Sequence, residues 1–322
     1  MLVVSAVALA TGWWRVDRSP PAQASEAIAE SAVPLPRAAA ARSRDFNDYW
    51  YQGLAEVNRY ELRQSRYGDL HDGEAVLIFV TEDFHRTDHV KVENGDGEDA
   101  VSILKLNATR RFYTGVYPYT IMSSIFTPVQ PGPASSLKVT TSIQEWCGHT
   151  YTQLDLTGDR YQSELRSYLR AESDRTTELP RALLEDELLN LIRRDPAALP
   201  QGPIELIPAI RYQRLTRQSL VATDAVATLR DAEPTPGWES TAALEYQVDY
   251  IQIDRRLSVT FEADFPHRIL AWTEARSRDR DAQEGAESGA TSAILARSVM
   301  LDYWNHNSAD DHGYREHLGL GP

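Results

Sequence analysis

Along much of the chain apolar and polar residues alternate one by one, the period of a strand with one buried and one wetted face. The clearest case lies late. Leu244, Tyr246, Val248 and Tyr250 alternate with Glu245, Gln247 and Asp249, and Leu257, Val259 and Phe261 with Ser258, Thr260 and Glu262. Ile269, Leu270 and Trp272 continue the pattern. One wet face per strand belongs to antiparallel sheets, because parallel strands are buried on both faces and read as unbroken apolar runs. Earlier, Tyr60 and Leu62 alternate with Glu61 and Arg63, and residues 75–80 form a continuous apolar run suited to a buried strand. Residues 101–106 and 121–129 read as further strands on either side of Tyr117-Pro118-Tyr119. Gly68, Gly73 and Asn94-Gly95-Asp96-Gly97 supply turn signals.

Helical spacing appears in three places. Phe46, Tyr49, Trp50 and Leu54 share one side of a short entry helix, so folded structure is expected to begin near Phe46. Residues 179–195 place Leu184, Leu188, Leu191 and Ile192 at helical intervals, with Pro180 suited to the first turn and Pro196 beyond the end. Residues 293–303 read as another helix, after a charged, Gly-containing loop at 277–289. No repeat of fixed period is present. The predicted fold class is mainly β with a few helices: a strongly curved antiparallel sheet or open barrel wrapping a helix, in preference to a βαβ nucleotide-binding fold.

The first residues change the picture of location. Residues 2–14, LVVSAVALATGWW, are uncharged; at about 1.5 Å per residue a helix of that length reaches roughly 20 Å, short of a bilayer core of about 30 Å. The length suits a signal-peptide core, and Ala22-Gln23-Ala24 offers a small-x-small cleavage site. The expected organisation is a signal peptide or hydrophobic segment at 1–24, a flexible Ala-, Pro-, Ser- and Arg-rich linker at 25–44 and a single β-rich domain at 45–322. That places the protein in the bacterial periplasm or outside the cell, with anchoring through the first segment as the lesser alternative.

Charge and cysteine content then exclude some functions. The 322 residues carry a net charge of -14 with the acids spread along the chain. No basic stripe exists to release counterions, so nucleic acid is not an expected partner. Cys147 is the only cysteine, which rules out an intramolecular disulfide and a Cys-based zinc cage.

Candidate chemistry concentrates in residues 137–154. Read as one strand, they put Leu137, Val139, Thr141, Ile143, Glu145, Cys147, His149, Tyr151 and Gln153 on a shared face, apolar at first and then polar, as at the mouth of a lined cavity. The candidate ligand-binding residues are Glu145, Trp146, Cys147, His149 and Tyr151, joined by Tyr117 and Tyr119. Side chains at i and i+2 stand about 6.5–7 Å apart, whereas a nucleophile and its base need about 2.6–3.2 Å. Cys147 and His149 therefore make no ready dyad, Cys147 reads as a small buried apolar group, and no residue is assigned a catalytic role. His85 and His89 have i, i+4 spacing but lack the Glu of the HExxH motif and read as a polar loop, so neither a metal nor a cofactor is expected.

Four stretches carry a family resemblance: RYGDLHDGEAVLIFVTEDF (66–84), GVYPYTIMSSIFTPV (115–129), QEWCGHTYTQL (144–154) and LLEDEL (183–188). In these the chain resembles a family of exported bacterial proteins sometimes labelled "septum formation inhibitor". The nucleotide pyrophosphatases that properly own the label carry a Ser-rich, Arg-containing motif near their N-terminus. This sequence has none, so the resemblance implies export and not that activity. The strand-rich layout after an export signal also resembles the LolA and LolB type of periplasmic half-barrel, which implies a β-sheet cavity for lipid-like molecules.

The functional expectation is a non-catalytic envelope protein that binds an apolar or amphipathic, lipid-like small molecule in a β-sheet cavity. The competing expectations are a hydrolase using groups in residues 145–151 and a scaffold of an envelope assembly. Transient contact with a membrane surface and an envelope protein partner are the further partner classes.

Overall fold

The computed structural model describes residues 44–93, 97–130, 135–276 and 289–320. The expected signal segment, the linker up to residue 43, the turn residues 94–96 and most of the expected loop, 277–288, lie outside these residues.

Buried residues alternate with more exposed ones along residues 246–250 and 257–261, as the sequence predicts. A short helix, α1 (Arg44–Trp50), leads into eight strands joined mostly by tight turns: β1 (Ala55–Arg66), β2 (Asp69–His85), β3 (Ala100–Thr114), β4 (Tyr117–Pro128), β5 (Lys138–Glu145), β6 (Gly148–Thr157), β7 (Arg160–Ser167) and β8 (Arg175–Pro180). The chain then makes a two-residue strand, β9 (Leu183–Leu184), a 3-10 turn at Glu185–Glu187 and helix α2 (Leu188–Arg194). It continues through β10 (Gly202–Ile207), α3 (Ile210–Thr216), β11 (Thr223–Asp231), β12 (Ala243–Tyr250), β13 (Arg256–Glu262), β14 (Ile269–Ala275) and β15 (Thr291–Leu301) to α4 (His312–His317).

All fifteen strands belong to one sheet, in the order β8-β7-β6-β5-β4-β3-β2-β1-β15-β14-β13-β12-β11-β10-β9. Neighbours are antiparallel except β9 and β10, which run parallel. The two edge strands, β8 and β9, are consecutive in sequence, separated only by Arg181 and Ala182. Three residue steps span at most about 11 Å. The edges are therefore held close, and the sheet curls strongly without closing into a barrel.

The inner face of this sheet is the core. Val139 and Ile143 of β5, Tyr246 and Val248 of β12, and Leu257, Val259 and Phe261 of β13 join Leu188, Leu191 and Ile192 of α2 in one buried cluster. Burying a Leu or Ile side chain contributes roughly 1.5–3 kcal/mol, so the helix is held by its fit inside the sheet. The apolar run at 75–80 is buried on both faces for an identifiable reason. Ala75, Leu77 and Phe79 face the main core, while Val76 and Val80 pack outside with Val57, Val299 and Leu318.

Two helical expectations need correction. Residues 293–303 fall largely in β15, whose buried residues Thr291, Ala293 and Leu295 alternate. The strand pairs with β1 on one side and β14 on the other, and these ladders override the helix preference of its Ala, Leu and Met residues. Within 179–195 only Leu188–Arg194 is α-helical. Pro180 ends β8, and Leu183 and Leu184 pair with Leu206 and Ile207 before the helix begins. No helix among the described residues is long and apolar enough to cross a membrane.

Candidate functional site

The residues singled out from sequence fall into two groups at and beside one hairpin. Glu145 ends β5 and pairs with Gly148 at the start of β6, leaving Trp146 and Cys147 as a two-residue turn. Residues 137–154 are thus two antiparallel strands. A two-residue turn pairs Ile143 with Thr150, so the inward face passes from Val139, Thr141 and Ile143 to Thr150, Thr152 and Leu154. His149 and Tyr151 consequently point outward and are exposed, and the single shared face expected from sequence does not form.

Cys147 is exposed, which corrects its reading as a buried apolar group. Its backbone N–H donates to Glu145 Oε2 at 2.7 Å, and the Glu145 carboxylate, through its side-chain hydrogen bond and its charge, holds the thiol above its usual pKa. A nucleophile needs the opposite shift. Tyr151 donates to Gln153 Oε1 at 2.6 Å. Trp146, 70% exposed, lies near-parallel to Tyr117 at 6.3 Å. The hydroxyls of Tyr119 and Tyr117 lie 2.8 and 3.4 Å from that of Tyr67, and Arg66 donates to Tyr119. The structure therefore brings Tyr117, Tyr119 and Trp146 together at one end of the sheet.

His89 has φ of +54° and lies 3.1 Å, through Nδ1, from Asp155 Oδ1. His85, at the end of β2, accompanies it in no cluster of His, Cys, Asp and Glu suited to a metal among the described residues.

A different site lies inside the sheet. A cavity of about 40 Å³ is lined by Leu77, Leu106 and Ile125 of β2 to β4, by Leu257, Val259 and Trp272 of β13 and β14, and by Leu188 and Leu189 of the helix. Arg110, Glu185, Asp186 and Arg211 line it as well, so its wall is apolar in one part and ionic in another. None of the seven residues expected from sequence lines this cavity.

The ionic part belongs to a network of three guanidiniums and three carboxylates, of which Arg255 and Glu274 do not themselves line the cavity. Glu274 accepts from Arg110 at 2.5 Å, Arg211 at 3.1 Å and Arg255 at 3.3 Å. Glu185 accepts from Arg255 Nε at 3.1 Å, from Tyr250 at 2.6 Å and from Arg211 at 3.4 Å. Asp186 accepts from the Ile210 backbone N–H at 2.9 Å and from Arg211 at 3.4 Å. Burial alone would raise every one of these acids. At Glu274 the charges of Arg110, Arg211 and Arg255 overcome burial and hold the carboxyl well below its usual value. At Glu185, Arg255 and Arg211 outweigh burial as well. Asp186 has one guanidinium within bonding reach, at the long distance of 3.4 Å, and burial pushes it up to about 6.

Sequence reasoning missed this site because its members come from β3, the turn before α2, α3, the β12–β13 turn and β14. No local spacing links them. One signal was available: Glu185-Asp186-Glu187 interrupts a Leu-rich segment, and a helix entry apolar on all sides is a buried one whose polar groups must find partners inside. Comparison of the chain with protein families, with curated proteins and with solved structures gives no match.

Proposed function

We propose that this protein is a non-catalytic binder of a small amphipathic molecule, held in the cavity between the curved sheet and α2. The two-part lining carries the reading: apolar walls from Leu77, Leu106, Leu257, Val259 and Trp272 beside a polar end formed by Arg110, Glu185, Asp186 and Arg211. Ligand sites are commonly built so, with apolar surface providing affinity and a few placed polar groups fixing orientation. The charged groups are already engaged with one another, and the Cys147 thiol, whose pKa Glu145 raises, lies outside the cavity, which favours binding over turnover.

Size sets the ligand. A water needs about 10–15 Å³ of such space, so about 40 Å³ admits a polar head and a few carbons. An acyl chain of lipid length requires Leu188 and Leu189 to repack. The test is a panel of short amphiphiles, butanone, butyrate and butylamine, titrated against the full chain while its melting temperature is followed. At least one should stabilise the protein saturably, with Kd on the order of millimolar for so few heavy atoms. Ala108→Leu, which places extra carbons in the same cavity, should abolish the effect. Non-saturating responses to every member, or a response unchanged in Ala108→Leu, would overturn the reading.

A further inference from the structure

Two of the side chains that line the cavity hold buried N–H groups with no acceptor: Trp272 Nε1 and Arg211 Nε. Trp272 is only 4% exposed. An indole and a guanidinium have donors and no acceptor, so whatever completes both must itself accept. A buried N–H left unmatched forfeits its hydration with no bond in return, and an acceptor that reaches it recovers that loss on binding.

Charge narrows the class further. Arg110, Arg211 and Arg255 are set against Glu185, Asp186 and Glu274, three positive groups and three negative ones joined by the contacts described above. The network is balanced when all six are ionised. A ligand bringing a full charge into this buried setting would leave it unbalanced and forfeit hydration without a free counter-charge.

On the reading of the cavity as a small-amphiphile site, we infer that its ligand presents an uncharged oxygen acceptor, a carbonyl of the ketone, ester or amide kind, to Trp272 and Arg211. The carbonyl oxygen accepts from Trp272 Nε1 and Arg211 Nε, while the adjoining carbons lie against Leu257 and Val259.

The same panel distinguishes this inference from the reading it rests on. At about pH 8, butanone should bind roughly ten-fold more tightly than butylamine or butyrate, a difference large enough to rank the Kd values. In full-length protein with ¹⁵N-labelled tryptophan, butanone should move the Trp272 indole resonance downfield and leave that of the exposed Trp146 in place. Trp272→Phe keeps an aromatic wall and removes the donor, and should weaken butanone binding about ten-fold. The indole shift, read on the native chain, keeps the test valid should that variant unfold. No saturable binding by any member defeats the cavity reading itself. Equal binding of butylamine and butanone, or an unmoved Trp272 indole during saturable binding, defeats the acceptor inference alone, the latter meaning that water already completes both donors.

Discussion

Arg193 illustrates how a single residue ties the helix to the sheet. It sits on α2 with its side chain entirely buried, and donates to both carboxylate oxygens of Glu56, at 2.6 and 2.5 Å. Its guanidinium lies 5.1 Å from the Trp50 ring and 5.0 Å from that of Phe79. Asn58 and Tyr49 donate to the same carboxylate. Burial works against the Glu56 charge, but Arg193 more than offsets it, and the carboxyl is held below its usual range. A buried pair contributes little beyond a well-packed apolar pair, yet breaking it leaves a charge stranded. Arg193→Met should therefore lower unfolding free energy by about 3–5 kcal/mol in urea titrations near neutral pH. Adding Glu56→Gln should restore a large part of the loss, because no charge is then left unpaired. Simple additivity of the two losses would show that packing around Trp50 and Phe79, and not the ion pair, fixes the helix.

At the scale of elements, the β5–β6 hairpin decides what Cys147 is able to do. The Trp146-Cys147 turn lifts the thiol clear of the core. Gly148 follows with φ of +151°, and a Cβ there would come within 2.7 Å of the Tyr168 ring. Cys147→Ser should accordingly leave stability within about 0.5 kcal/mol of the native protein, as surface changes do. Iodoacetamide should label the native thiol slowly near neutral pH, and Glu145→Gln should accelerate labelling by removing the carboxylate that disfavours the thiolate. Rapid labelling of the native thiol would contradict that restraint. The hairpin also marks where sequence reasoning stops. Alternation along residues 244–250 and 257–261 identifies β12 and β13 because each strand has one wet face. Alternation does not locate a two-residue turn that lacks Asn or Asp, and so the parity reversal after Glu145 was invisible. In β15, helix-forming residues mask an alternation that only the flanking ladders enforce. The site is less legible still, since Arg110, Glu185, Arg211, Arg255 and Glu274 each look like ordinary surface charge until the sheet curls and brings them together.

Across the whole molecule these buried acids pull the pH dependence of stability in opposite directions. Glu56, Glu185 and Glu274 have folded pKa values below their ordinary 4.5. The stability they contribute is present above that value and is lost as pH falls through their folded values. Asp186 behaves the other way: its ordinary value of 3.8 is raised to about 6, chiefly by burial. Folding favours its neutral form, so its contribution is complete below 3.8 and disappears as pH rises through about 6. Above that, ionised Asp186 costs on the order of 1–3 kcal/mol, taking each pKa unit as about 1.4 kcal/mol as an upper bound. Asp186→Asn keeps an oxygen for the Ile210 N–H and removes the charge. Urea unfolding measured from about pH 3.5 to 8 should find the variant more stable than the native protein by roughly 1–3 kcal/mol at the alkaline end. The advantage should shrink as pH falls through about 6 and vanish near 3.8, where Asp186 is increasingly protonated in both states. Both proteins should then lose stability steeply below about 4.5, as the three other acids take up protons. A variant less stable than the native protein at alkaline pH would mean that attraction to Arg211 outweighs the burial of Asp186. In that case the three-against-three charge balance of the cavity would be a source of stability in its own right.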